Sequence, residues 1–184
     1  MVVLSVAIAA AAMSPQLQWR EPVYILAGFA GIFALGLLLL QPLLITQNPP
    51  GVSAFRSRRL HRWIGGTLVL AVIVHVAALW VTSPPDVIDA LLLRSPTWFS
   101  ILGVIAMWTV FASAFIAVLR RRLHFWRFAH RAFALLIAGS SIAHALLIEG
   151  TMEPKSKAIL CVFVGIATLL IMSDPRSGVR RRRP

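Results

Sequence analysis

The chain has 184 residues, of which 59% are hydrophobic and only 13% charged. A soluble domain carries about a quarter charged residues, so the composition excludes a soluble globular enzyme and fits a membrane protein. The formal net charge of +12 does not point to nucleic acid, because the basic residues gather in three short clusters between apolar spans. The single cysteine, Cys161, excludes an intramolecular disulfide and a cysteine-built metal cluster.

Six apolar spans follow one another along the chain. The first, VVLSVAIAAAAM, is short and has no basic residue ahead of it. Residues 1–15 therefore read as a short first helix or a signal-like segment. The second span covers residues 22–45, with Pro22 at a helix-start position. The others cover about 62–82, 98–119, 131–149 and 157–173. A helix crosses a bilayer with about 20 apolar residues. Spans two to five meet that length, and Lys157 extends the last by snorkelling. The predicted fold is all-α, a polytopic bundle of about six transmembrane helices. Residues 22–173 form the bundle and residues 174–184 a basic tail.

Basic residues set the orientation. Arg56, Arg58, Arg59 and Arg62 lie in or beside the second loop, Arg120, Arg121, Arg122, Arg127 and Arg131 around the fourth, and Arg176 and Arg180 to Arg183 in the tail. With six helices these three clusters share one side, which the positive-inside rule makes cytoplasmic. Both termini are then cytoplasmic, in a multi-pass inner (plasma) membrane protein. Trp19, Trp63, Trp80, Trp98 and Trp126 fall at span ends, where an interfacial aromatic belt belongs.

Two spans carry histidines. His61 and His75 are fourteen residues apart, and so are His130 and His144. At 100° per residue this separation falls about 40° short of four turns, so each pair shares one helix face, about 21 Å apart along the axis. The two helices run in the same direction. His61 and His130 then lie at one inner depth, and His75 and His144 at one outer depth. A lone intramembrane histidine is commonly an interhelical hydrogen-bond partner. The matched spacing on two co-oriented helices sets these four apart as a candidate site. His124 falls on another face, outside the membrane core, and reads as interfacial.

Two facing imidazoles per level are too few for zinc, and a non-haem iron triad lacks its carboxylate. Haem iron needs only two axial ligands from the protein, because the porphyrin supplies four nitrogens. The four histidines therefore read as axial ligands of two b-type haems. Arg58, Arg62, Arg127 and Arg131 are candidate propionate contacts at the inner level, and Arg94 or Lys155 at the outer. Gly65, Gly66 and Gly139 would let a flat ring approach the backbone.

HRWIGG opening one H-x13-H and WRFAH opening the other resemble the ferric reductase-like transmembrane domain over about residues 24–172. This family includes ferric reductases, NADPH oxidases and the haem-binding membrane subunit of the bacterial methionine sulfoxide reductase system. LWVTSPPDVIDALLLRSPT and HALLIEGTMEPKSK look like segments of stand-alone bacterial members. The resemblance implies haem b held by histidines of the third and fifth helices, here His61 with His130 and His75 with His144. Full-length reductases continue into flavin- and NADPH-binding domains. No such motif occurs here, so a separate cytoplasmic flavoprotein or a quinol is the expected donor.

The expected function is a di-haem b electron conduit across the lipid bilayer, from that donor to an outer ferric chelate or redox protein. One alternative is the haem-binding membrane subunit of a partnered periplasmic reductase. A second is a haem-free transporter or structural membrane protein, with the histidines relaying protons or packing.

Overall fold

The structure, a computed structural model, describes residues 2–46 and 53–173. The basic tail and part of the second loop lie outside the described residues. Seven α-helices follow in order: α1 (Val2–Ala12), α2 (Pro22–Thr46), α3 (Ala54–Thr82), α4 (Pro84–Leu91), α5 (Trp98–Val118), α6 (Trp126–Leu147) and α7 (Pro154–Met172). Among the described residues there is no strand. The all-α membrane bundle is thus the observed architecture.

Five helices, α2, α3, α5, α6 and α7, are long and apolar enough to cross a bilayer. The sixth expected span is α1. Its 11 residues reach about 16 Å, roughly half the hydrocarbon thickness. It packs against α2 and α7 and buries Ala7 and Ala11.

Local chemistry explains where the helices start. Pro22 opens α2, and α4 and α7 also carry proline in the first turn, where the missing N–H costs nothing. Ser53 caps α3, its hydroxyl accepting from the Arg56 N–H at 3.4 Å. α3 therefore begins well ahead of the apolar run, and His61 sits two turns inside it. α6 likewise starts at Trp126 rather than at residue 131. The outer loop folds into the short helix α4. There the Ser83 hydroxyl donates to Asp86 Oδ2 at 2.6 Å, so Asp86 serves the helix start.

The bundle is built from two antiparallel hairpins. α2 packs along α3, and α5 along α6. α7 lies against both α2 and α6 and joins the hairpins on one side. Leu160 and Val164 of α7 are completely buried there, in one cluster with Leu35, Leu38, Leu68, Val110 and Ile137. α3 and α6 do not pack closely on each other. A seam runs between them through the bundle.

The outer faces are apolar. Leu70, Ile73, Phe115, Leu135, Ile159, Leu169 and Leu170 are all exposed, as expected of helices solvated by lipid tails. Two hydroxyls inside the spans are satisfied within their own helices. Thr109 donates to Ile105 O at 2.6 Å and Thr168 to Val164 O at 2.8 Å. At the ends, Lys157 Nζ donates to Ile148 O at 2.6 Å, so the lysine caps α6 from the start of α7.

Candidate functional site

The histidines meet across the seam between α3 and α6. The rings of His61 and His130 lie with centroids 6.3 Å apart and planes at 78°. Those of His75 and His144 lie 6.4 Å apart at 83°. All four are partly buried. A direct N–H···N bond of about 2.9 Å would bring two imidazole centroids to roughly 5 Å. A metal ion bound to both rings, with metal–nitrogen distances of about 2.0 Å, holds them roughly 6.3 Å apart. Both pairs stand wider apart than a direct hydrogen bond would hold them, a separation that a shared metal ion would fit.

Each imidazole is anchored through Nδ1 by the helix behind it. His75 Nδ1 donates to the Ala27 carbonyl at 2.7 Å, and His61 Nδ1 to the Gln41 carbonyl at 3.3 Å. His144 Nδ1 donates to the Phe99 carbonyl at 2.6 Å. His130 Nδ1 meets the Ser113 hydroxyl at 2.9 Å. A carbonyl only accepts, so three of the rings carry their proton on Nδ1, which leaves Nε2 with a free lone pair. This is the arrangement that orients a metal-binding histidine and raises its basicity. The supporting residues repeat the ligand spacing: Ala27 to Gln41 on α2, and Phe99 to Ser113 on α5, are each fourteen positions. Antiparallel neighbours with the same helical repeat meet at the same two depths. Sequence reasoning missed this second row. A backbone carbonyl leaves no trace in residue identity, and Ser113 is an unremarked serine in an apolar run.

Glycines make room for the His75–His144 pair. A Cβ on Gly103 would stand 2.8 Å from His144 Nδ1, and one on Gly31 would stand 3.1 Å from His75 Nδ1. Gly31 and Gly103 each lie four residues after the accepting carbonyl, in the next helical turn. A side chain at Gly103 would displace the His144 ring, and one at Gly31 would crowd the His75 ring. The glycines singled out from sequence act otherwise. Gly65 faces the Gln41 amide, 3.2 Å from its would-be Cβ, while Gly66 and Gly139 face open space.

The arginine-rich end surrounds the His61–His130 level. Arg58 and Arg127 are exposed, and the Arg127 guanidinium lies 5.8 Å from the Trp126 ring centre. Trp126 in turn lies 6.3 Å from the His130 ring. Arg131 donates to the Met172 carbonyl at 3.4 Å, closing the C-terminus of α7. Arg62 lies on the lipid-facing side of α3 with Arg59 and Trp63. The Gln41 amide nitrogen donates to the His61 carbonyl at 3.3 Å, so one residue holds His61 by both its backbone and its side chain. His124 is exposed and stacks edge-on against Phe125.

Among the described residues no three His, Cys, Asp or Glu side chains gather around one point. The donor set at each level is therefore two imidazoles. This suits a metal whose remaining positions are filled by a macrocycle, and the open seam between α3 and α6 lies where one would enter. The residues present fit haem.

Residues 27–140 match the family model described as ferric reductase like transmembrane component. The chain belongs to this family. The segment of the ferric reductase-like match begins at Ala27, the anchor of His75, and contains His61, His75 and His130. It ends short of His144, which the geometry adds. No curated protein shows significant sequence similarity to the chain.

Proposed function

We propose that this ferric reductase-like protein is a di-haem b membrane cytochrome that carries electrons across the bilayer. The observation that supports this reading most is the pair of matched histidine couples, which face each other across the seam with ring centroids 6.3 and 6.4 Å apart. His61 and His130 would hold one haem, and His75 and His144 the other. When bound, haem b supplies a one-electron ferric–ferrous couple at each level.

The chain's own residues then have distinct tasks. The Nε2 atoms would hold the haem iron; the Nδ1 bonds to the Ala27, Gln41 and Phe99 carbonyls fix ring orientation and tautomer, and the Ser113 hydroxyl orients His130. Two histidines at each level would hold a haem for electron transfer rather than for binding oxygen. Arg58 and Arg127, each three residues before a histidine of the arginine-rich end, would neutralise propionates there. Arg131 is engaged at the end of α7, and Arg62 stands exposed beside Arg59 and Trp63 on α3. By the positive-inside rule the arginine-rich end is cytoplasmic. Electrons would enter there from a flavoprotein or a quinol and leave outside to a ferric chelate or a redox protein. With a negative interior, outward movement of one electron is favourable by about 2.3 kcal/mol per 100 mV.

A reduced-minus-oxidised spectrum with a pyridine haemochrome count on the detergent-purified chain tests this. Two haems b per chain are expected. One haem breaks the two-level model. None, in protein expressed with ample haem supply, leaves the histidines to proton relay or packing.

A further inference from the structure

A groove of about 620 Å³ lies on the outer side of α3, lined by Arg59, Arg62, Trp63, Gly66, Thr67 and Leu70. At 100° per residue these positions are centred roughly opposite His61 on the helix, so the groove faces lipid rather than the seam. Its floor is Gly66, where a Cβ would meet nothing within 4 Å. Trp63 is 68% exposed and forms one wall, with Leu70 further along. The Thr67 hydroxyl is spent on the Trp63 carbonyl at 3.0 Å. At the mouth stand Arg59 and Arg62, both exposed, and among the described residues neither has an acidic partner.

The groove thus runs from two guanidiniums, past an indole, onto an apolar floor. We propose that it binds an anionic phospholipid of the leaflet at the arginine-rich end. The phosphate would lie between Arg59 and Arg62, and an acyl chain would cross Gly66 between Trp63 and Leu70. Guanidinium pairs favour phosphate, whereas the neutral head of a quinol would leave both cations unpaired. The proposal needs only that the chain spans a membrane, not that it binds haem.

The full chain is placed in phosphatidylcholine vesicles containing a minor, equal fraction of brominated phosphatidylglycerol or brominated phosphatidylcholine. Bromine quenches tryptophan on contact, and subtracting a Trp63→Phe variant isolates Trp63. Phosphatidylglycerol is expected to quench Trp63 several-fold more strongly. Arg59→Gln with Arg62→Gln should abolish that preference, about fivefold for each guanidinium, while the Arg→Lys pair retains most of it. Gly66→Leu should weaken quenching by both lipids. All these substitutions lie on the exposed face, so helical circular dichroism should match wild type. Equal quenching by the two lipids overturns the proposal, as does a preference that survives the glutamines or quenching unmoved by Gly66→Leu. Protection of Trp63 by a short-chain quinone also overturns it, and gives the groove to a quinone.

Discussion

The two histidine levels are alike in separation and differ in how they are held. At the His75–His144 level both rings donate to backbone carbonyls at 2.7 and 2.6 Å, and glycines in the next turn make room for the rings. At the His61–His130 level one carbonyl bond is longer, 3.3 Å, and the other partner is the Ser113 hydroxyl. One level is fixed by main chain and missing side chains. The other rests on one longer main-chain bond and one serine hydroxyl, which substitution can remove, and it sits among arginines. Backbone anchoring makes a rigid site, while a hydroxyl and nearby charge set a potential.

That contrast can be broken at several points. The largest effect is expected from His61→Ala or His144→Ala. Each should stop electron flow across the bilayer, measured in vesicles with a reductant on one side and a trapped acceptor on the other, down to the protein-free background. Each should still leave half of the haem, from the other level. Next is Gly103→Leu. It should empty the His75–His144 level and leave the His61–His130 level intact in low-temperature spectra, while Gly139→Leu, in open space, should leave both filled. Ser113→Ala should keep both haems. Loss of a bond that makes His130 more basic should raise the midpoint of its level by a few tens of millivolts, the equivalent of one hydrogen bond of about 1 kcal/mol. A potentiometric titration that moved the other level instead would remove Ser113 from this role. The smallest effect is expected for Arg131→Gln, which loses the bond to the end of α7. Thermal unfolding should show a loss of about 0.5–1 kcal/mol with both spectra unchanged.

Much of this was legible in the sequence, and the remainder was hidden for physical reasons. The H-x13-H spacing placed both pairs, because helical geometry converts fourteen residues into one face and one span. The spans α2, α5 and α7 follow their apolar runs closely. Hydropathy misjudged α3 and α6, since it finds the edge of an apolar run and not the edge of a helix. The helix-forming arginines behind the Ser53 cap extend α3 well past that edge. Residues 1–15 read as a short first helix or a signal-like segment, and α1 is a helix of 11 residues. The proline pair Pro84–Pro85 opens α4. The anchors of the imidazoles were invisible because three of the four are carbonyls. Gly31 and Gly103 did leave a signal, as glycines inside apolar helices, but only contact with the rings shows what they are for.

The central claim is that two imidazoles on different helices share one ligand. Haem content per chain in His75→Ala, His144→Ala and the double variant tests it most directly. The account expects each single variant to fall from two haems to one, and the double variant to remain at one. A double variant that loses more haem than either single variant, or single variants that lose spectrally different haems, would contradict it.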